Sequence, residues 1–158
     1  MSAQAQAQAG ADQRPSLTLK RRIKAAPAKV YRAWIDPAQI ARWWGPGNCD
    51  YLVTEIDLRV GGGFRIAFRT DIDGRPEERH EVGGTYREIV PDQRLVFSWN
   101  WVSTPERVSQ VTVTFKPDGD GTILTLHHEQ LFDDASKTGH TRGWTASLDK
   151  LESLLSYP

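Results

Sequence analysis

Large apolar residues alternate with smaller or polar ones most clearly between residues 95 and 101. As a β-strand, this segment places its four largest apolar side chains on one face of a sheet. These side chains are Leu95, Phe97, Trp99 and Trp101. Such a face needs a large cover, and residues 134–157 can supply it, because their pattern predicts a helix with one apolar stripe. The two segments together enclose either a solid core or a pocket.

The same two-residue period recurs in other segments, which are separated by turns rich in Gly, Asp and Pro. We predict strands over residues 17–24, 51–58, 64–70, 80–90, 95–101, 107–116 and 122–129. The concave face of this antiparallel sheet is expected to carry Phe64, Ile66, Phe68, Leu95, Phe97, Trp99, Trp101, Val111, Val113, Phe115, Leu124, Leu126 and His128. The opposite face is expected to carry Arg65, Arg69, Ser98, Asn100, Thr112, Thr114 and Thr125. The facing of segments 51–57 and 80–90 stays open.

Two short helices are predicted after the first strand. Pro27 suits the first turn of one helix, and Asp36 followed by Pro37 predicts the capped start of the next. In the C-terminal helix, Gly139 and Gly143 each cost about 1 kcal/mol relative to alanine. Their presence indicates either close packing of helix on sheet or room for a ligand beside the first half of the helix.

The apolar stripe of this last helix follows helical spacing. Its members are Trp144, Leu148, Leu151 and Leu155. The second half of the stripe is expected to be plain core under either interpretation of the glycines.

Composition limits the class of protein. The chain has 158 residues, a formal net charge of zero and one cysteine, Cys49. We predict a disordered tail over residues 1–16 and a single domain over 17–158. The absence of a basic surplus argues against nucleic-acid binding, and no apolar run approaches the roughly 18 residues of a membrane span. With no internal disulfide available, a cytoplasmic location is expected.

Seven short motifs follow one another along the chain. They lie at residues 26–34, 43–46, 57–62, 84–91, 94–99, 121–126 and 140–144. In this order they resemble the family of activator of Hsp-90 ATPase homologues, within the START-like (SRPBCC, Bet v 1-like) superfamily. The resemblance implies an α+β helix-grip fold, in which a curved antiparallel sheet of about six to seven strands wraps around a long C-terminal helix. It also implies a small soluble protein with a hydrophobic cavity.

A ligand pocket is therefore expected between the sheet and the last helix. The candidate lining residues are Phe64, Ile66, Phe68, Phe97, Trp99, Trp101, Val113, Leu126, His128, His140 and Trp144. Such walls suit an apolar ligand held by one or two polar anchors, here the two histidines and the indole N–H groups. The alternative is that the rings simply fill the core.

Three functions remain open. The first is binding of a small hydrophobic molecule such as a lipid, fatty acid, polyketide or aromatic metabolite, by a monomer or weak dimer without a cofactor. The second is a cyclase- or hydrolase-like enzyme that uses the same cavity. The third is a co-chaperone-like interaction module with a chaperone contact and a role in stress response. The long N-terminal domain of the eukaryotic co-chaperone has no counterpart here, which weighs against the third.

Other candidate chemistry is weak. His127 and His128 are adjacent on a strand and point to opposite faces, so they do not predict a metal site. Cys49 has no histidine beside it to activate the thiol. The carboxylates of Glu55 and Asp57 share a strand face, where they serve either acid–base chemistry or pairing with arginines.

The Gly61-Gly62-Gly63 run predicts a hairpin or bulge. It does not predict a phosphate-binding loop, because a strand rather than a helix follows it.

Overall fold

A computed structural model describes residues 13–45, 49–70 and 78–156. Most of the predicted tail, residues 1–12, lies outside the described residues. The strands are β1 (Leu17–Ile23), β2 (Cys49–Ile56), β3 (Gly63–Thr70), β4 (Glu78–Val90), β5 (Arg94–Trp101), β6 (Ser109–Asp118) and β7 (Gly121–Glu129). The helices are α1 (Pro27–Ile35), α2 (Pro37–Trp43) and α3 (Asp134–Ser156). The predicted element order is confirmed, with boundaries shifted by a few residues.

All seven strands form one antiparallel sheet in the order β1-β7-β6-β5-β4-β3-β2. Six strands pair with their neighbours in the chain, and β1 joins the far edge beside β7. Register shifts between Tyr51 and Val53 and between Tyr86 and Glu88 interrupt β2 and β4. The helix-grip prediction is confirmed, because the sheet carries α3 as its long C-terminal helix.

The short helices begin where the sequence predicts. Asp36 caps α2, because its carboxylate accepts a hydrogen bond from the backbone N–H of Ala38 at 3.0 Å. Pro27 and Pro37 stand at the first turn of their helices. The indole N–H of Trp43 donates to the carbonyl oxygen of Ala33 at 3.0 Å and joins the two helices.

The core lies between the concave face of the sheet and the helices. All predicted concave-face residues are buried, apart from the partly buried Trp101. The stripe of α3 is buried as well, at Trp144, Leu148, Leu151 and Leu155. None of the helices in the described parts of the chain is long and apolar enough to cross a membrane.

Two strands add details that the alternation of apolar and polar residues does not give. Ser98, which is expected on the opposite face, is buried, and its hydroxyl accepts the backbone N–H of Thr85 at 2.8 Å. In β4, whose facing the sequence left open, Val82 and Tyr86 are buried. Between them, a Cβ atom on Gly84 would lie 1.8 Å from the carbonyl oxygen of Ser98, so only glycine fits there.

Candidate functional site

A pocket with a volume of about 290 Å³ lies between the sheet and the first half of α3. Aromatic rings form most of its wall: Trp44, Phe68, His80, Trp99, Trp101, His140 and Trp144. The remaining lining residues are small: Gly45, Ser136, Gly139, Gly143 and Ser147. The pocket is therefore mainly apolar, with hydroxyl and imidazole groups as its polar features.

The two helix glycines face open space. A Cβ atom built on Gly139 or on Gly143 meets no atom within 4 Å, and both residues line the pocket. Close packing of the helix on the sheet therefore does not explain why glycine occupies these two positions. Gly139 is itself exposed, so the pocket reaches the surface of the described part of the chain at this point.

His140 joins α3 to the sheet at one side of the pocket. Its Nε2 accepts the indole N–H of Trp101 at 3.0 Å, and its Nδ1 donates to the carbonyl oxygen of Ser136 at 2.7 Å. This pattern requires the neutral imidazole with its proton on Nδ1. Burial lowers the pKa of His140 below its ordinary value, although the hydrogen bond to Ser136 opposes that shift.

His128 makes the equivalent bond to Trp144 behind the pocket wall. The indole N–H of Trp144 donates to Nδ1 at 3.0 Å, and Nε2 lies 2.8 Å from the hydroxyl oxygen of Ser109. Because that hydroxyl donates to the carbonyl oxygen of Trp99, Nε2 carries the proton and donates to Ser109. Burial, with the nearby His140 and His127, lowers the pKa of His128 well below its ordinary value.

Trp99 lies at the centre of this aromatic group. Its ring centroid is 5.0 Å from that of Trp144, 5.5 Å from that of Trp44 and 5.6 Å from that of Trp101. The indole N–H of Trp99 is buried and has no acceptor among the described residues. Its position is thus set by ring packing alone, unlike the hydrogen-bonded indoles of Trp101 and Trp144.

Ser147 closes the other end of the pocket. Its hydroxyl oxygen accepts the backbone N–H of Gly45 at 3.0 Å, and its proton faces the carbonyl oxygens of Gly143 at 2.9 Å and Gly45 at 3.2 Å. This serine ties α3 to the residues that follow α2. The short helices are thereby held against the pocket.

The structure gathers part of the predicted site around the pocket. Five predicted residues line it: Phe68, Trp99, Trp101, His140 and Trp144. Three others, Phe64, Ile66 and Phe97, line a separate void of about 10 Å³, which is close to the minimum for one water molecule. Val113 and Leu126 lie in the core, and His128 stands behind the wall as the partner of Trp144.

Several lining residues were not predicted. Ser136 and Ser147 share the helix face of His140 and Gly143 through steps of three and four residues, so helical periodicity could have identified them. His80 lies near the start of β4, the strand whose facing is open from the sequence. Trp44 lies at the end of the predicted second short helix. No pattern in that segment indicates whether Trp43 or Trp44 reaches a pocket.

The other candidate groups take structural partners. Arg65 pairs with Glu55 at 3.1 Å, and Arg59 pairs with Asp57 at 2.9 Å, which leaves these carboxylates in surface ion pairs. His127 is partly exposed with its Nδ1 2.9 Å from the hydroxyl oxygen of Thr18, on the face opposite His128. Within the described ranges, no three His, Cys, Asp or Glu side chains could hold a metal ion.

Solved structures of several bacterial proteins are similar to this chain. A Chromobacterium violaceum protein is 29% identical over 91% of this chain and 99% of its own, with a TM-score of 0.77. The AHSA1 protein of Silicibacter pomeroyi is 29% identical over 90% and 98%, with a TM-score of 0.75. CalU16 of Micromonospora echinospora is 26% identical over 90% and 76%, with a TM-score of 0.63. No curated protein matches this chain.

The family described as activator of Hsp90 ATPase homolog 1-like protein has a model that matches residues 24–156. That range begins directly after β1 and runs to the end of α3, so it includes every element that builds the pocket. The chain therefore belongs to the activator of Hsp90 ATPase homolog 1-like family.

Proposed function

We propose that this protein binds a small hydrophobic molecule in the pocket between the sheet and α3. The observation that carries the proposal is the unfilled volume of about 290 Å³ beside Gly139 and Gly143. Empty apolar volume destabilises a protein, because the atoms that line it lose packing partners. The helix adds a further cost of roughly 1 kcal/mol for each glycine. A bound ligand would offset both costs.

The wall chemistry supports the same proposal. Ligand pockets are mostly lined by apolar and aromatic side chains, with a few placed polar groups that orient the ligand. Here aromatic rings provide the apolar area, while the hydroxyl group of Ser136 supplies a polar group at the helix side. The family and the fold suggest a SRPBCC-type ligand-binding domain.

The histidines favour binding over catalysis. A general base needs a nitrogen lone pair that can reach the substrate. In His140, one nitrogen accepts from Trp101 and the other donates to Ser136. In His128, the nitrogens are taken by Trp144 and Ser109. Each ring with a lowered pKa is thus engaged in structural hydrogen bonds. This supports a binding role for the pocket rather than a catalytic one.

Native mass spectrometry of freshly expressed protein tests the proposal. We expect a fraction of the protein to carry a noncovalent mass that organic extraction removes. Gly143→Leu should abolish that mass, since the leucine side chain would enter the pocket. Arg142→Leu places the same side chain on the neighbouring exposed position and serves as the matched control.

The proposal fails if wild-type protein and Gly143→Leu give identical spectra after expression in several hosts and after incubation with hydrophobic extracts. Both variants should fold, because leucine has a higher helix propensity than glycine and a propensity similar to that of arginine. Circular dichroism of both proteins checks this.

A further inference from the structure

The size of the pocket limits its ligand. An engineered apolar cavity of about 150 Å³ accommodates benzene. The pocket described above has a volume of about 290 Å³, which is about twice that cavity. A molecule of about two fused six-membered rings fits this volume, whereas a long acyl chain would have to extend into solvent at Gly139.

The shape of the pocket favours a flat molecule. On the sheet side, the rings of Trp99 and Trp101 stand at 89° to each other with centroids 5.6 Å apart, so one ring offers its edge where the other offers its face. Aromatic molecules prefer such edge-to-face and offset contacts. On the helix side, Gly139 and Gly143 present backbone without a side chain. A planar ring system can therefore lie against the helix and contact the indoles opposite.

The described lining of the pocket offers no fully charged side chain to a buried anion. Of the described residues that line it, none is Lys, Arg, Asp or Glu. His140 lines the pocket as a neutral imidazole. Protonation of its Nε2 would place an N–H group opposite the indole N–H of Trp101 and break that hydrogen bond. Nε2 of His80 lies 3.7 Å from a carboxylate oxygen of Glu78, so an anion bound beside His80 would face that carboxylate. A ligand carboxylate held inside the pocket, away from the opening at Gly139, would thus meet no charged partner among the described lining residues, at a high free-energy cost.

We propose that the ligand is an uncharged, planar aromatic molecule of about two fused rings, rather than a fatty acid. The proposal rests on the proposed binding function and narrows its ligand class. The ring system occupies the space that side chains at positions 139 and 143 would take. A hydroxyl or carbonyl substituent on the ring finds its hydrogen-bonding partner in the hydroxyl group of Ser136.

Three probes test this ligand class at neutral pH by isothermal titration calorimetry. They are 2-naphthol, which is uncharged, 2-naphthoate, which has the same rings and a carboxylate, and decanoate, which is an acyl-chain anion. We expect saturable binding of 2-naphthol, with 2-naphthoate and decanoate weaker by at least about tenfold because the carboxylate must leave water. Gly143→Leu should abolish the binding of 2-naphthol, while Arg142→Leu should leave it unchanged.

The outcomes separate this proposal from the binding function itself. Equal or tighter binding of 2-naphthoate would overturn the exclusion of anions. Binding of decanoate but not of 2-naphthol, lost in Gly143→Leu, would overturn the aromatic class while the binding function stands. If none of the three probes nor any hydrophobic extract binds in a way that depends on Gly143, both proposals fail.

Discussion

The indole N–H of Trp101 donates to Nε2 of His140 at 3.0 Å and thereby links β5 to α3 at one side of the pocket. A second indole–imidazole pair, from Trp144 to His128, has the same length. The two imidazole rings lie together, with centroids 4.9 Å apart. Each hydrogen bond requires a neutral imidazole, since protonation removes the lone pair of the acceptor nitrogen.

Folding stability should therefore fall in mild acid. The pKa values of His128 and His140 are lowered in the folded protein, so below about pH 6.5 the unfolded chain binds protons that the folded chain does not. Stability is fully present above that pH and decreases as pH falls, by up to about 1.4 kcal/mol per pH unit for each proton. Urea unfolding followed by tryptophan fluorescence between pH 7.5 and about pH 4.5 measures this slope.

Neighbouring histidines provide the control for this measurement. His128→Asn removes a buried titrating group and should flatten the slope, whatever it does to the absolute stability. His127→Asn removes a partly exposed histidine from the opposite face and is the matched control for the loss of one imidazole. Equal slopes in wild-type protein and His128→Asn would show that the buried imidazole does not carry the acid sensitivity.

Trp144→Phe should destabilise the protein more than Trp99→Phe. The first change leaves Nδ1 of His128 buried without its donor, which costs about 1–3 kcal/mol beyond the lost ring contacts. The second removes an indole N–H that has no acceptor among the described residues. The difference between the two free energies of unfolding, measured in urea, should thus be about 1–3 kcal/mol. A larger loss for Trp99→Phe would contradict the hydrogen-bond assignment.

Gly143→Ala should raise the free energy of unfolding by about 0.5–1 kcal/mol, because alanine favours helix and its methyl group meets no atom within 4 Å. Gly84→Ala should lower it by about 1–3 kcal/mol, since the methyl group would collide with the backbone of Ser98. Denaturant unfolding of the two variants checks both signs. Destabilisation by Gly143→Ala would mean that the helix packs closely at this position after all.

The facing of the strands could be predicted because alternation depends only on neighbouring residues. Phe97 and Trp99 are buried as expected. Alternation does not say which part of that face is filled, so it predicts Val113 and Leu126 in the pocket wall, although they lie in the core. Ser98 shows a further limit, since alternation does not reveal that it is buried and bonded to Thr85 of the neighbouring strand.

The hydrogen-bond pairs of the site could not be predicted in the same way. Trp101 and His140 are 39 residues apart in the chain, and their contact depends on the rotation of α3 relative to the curved sheet. His80 was missed because Gly83 and Gly84 obscure the alternation of β4. The helix face that carries Ser136, Gly143 and Ser147 could be predicted, because helical spacing alone places these residues together.

The claim that the pocket takes a hydrophobic molecule is tested most directly by the six indole N–H signals in a ¹H–¹⁵N spectrum during titration with 2-naphthol and, separately, with decanoate. Four of these indoles line the pocket, those of Trp44, Trp99, Trp101 and Trp144. Trp43, fully buried and bonded to Ala33, serves as the internal control. We predict saturable shifts of the four signals with at least one probe while Trp43 stays in place; unchanged signals with both probes, or equal shifts of all six, would contradict the account.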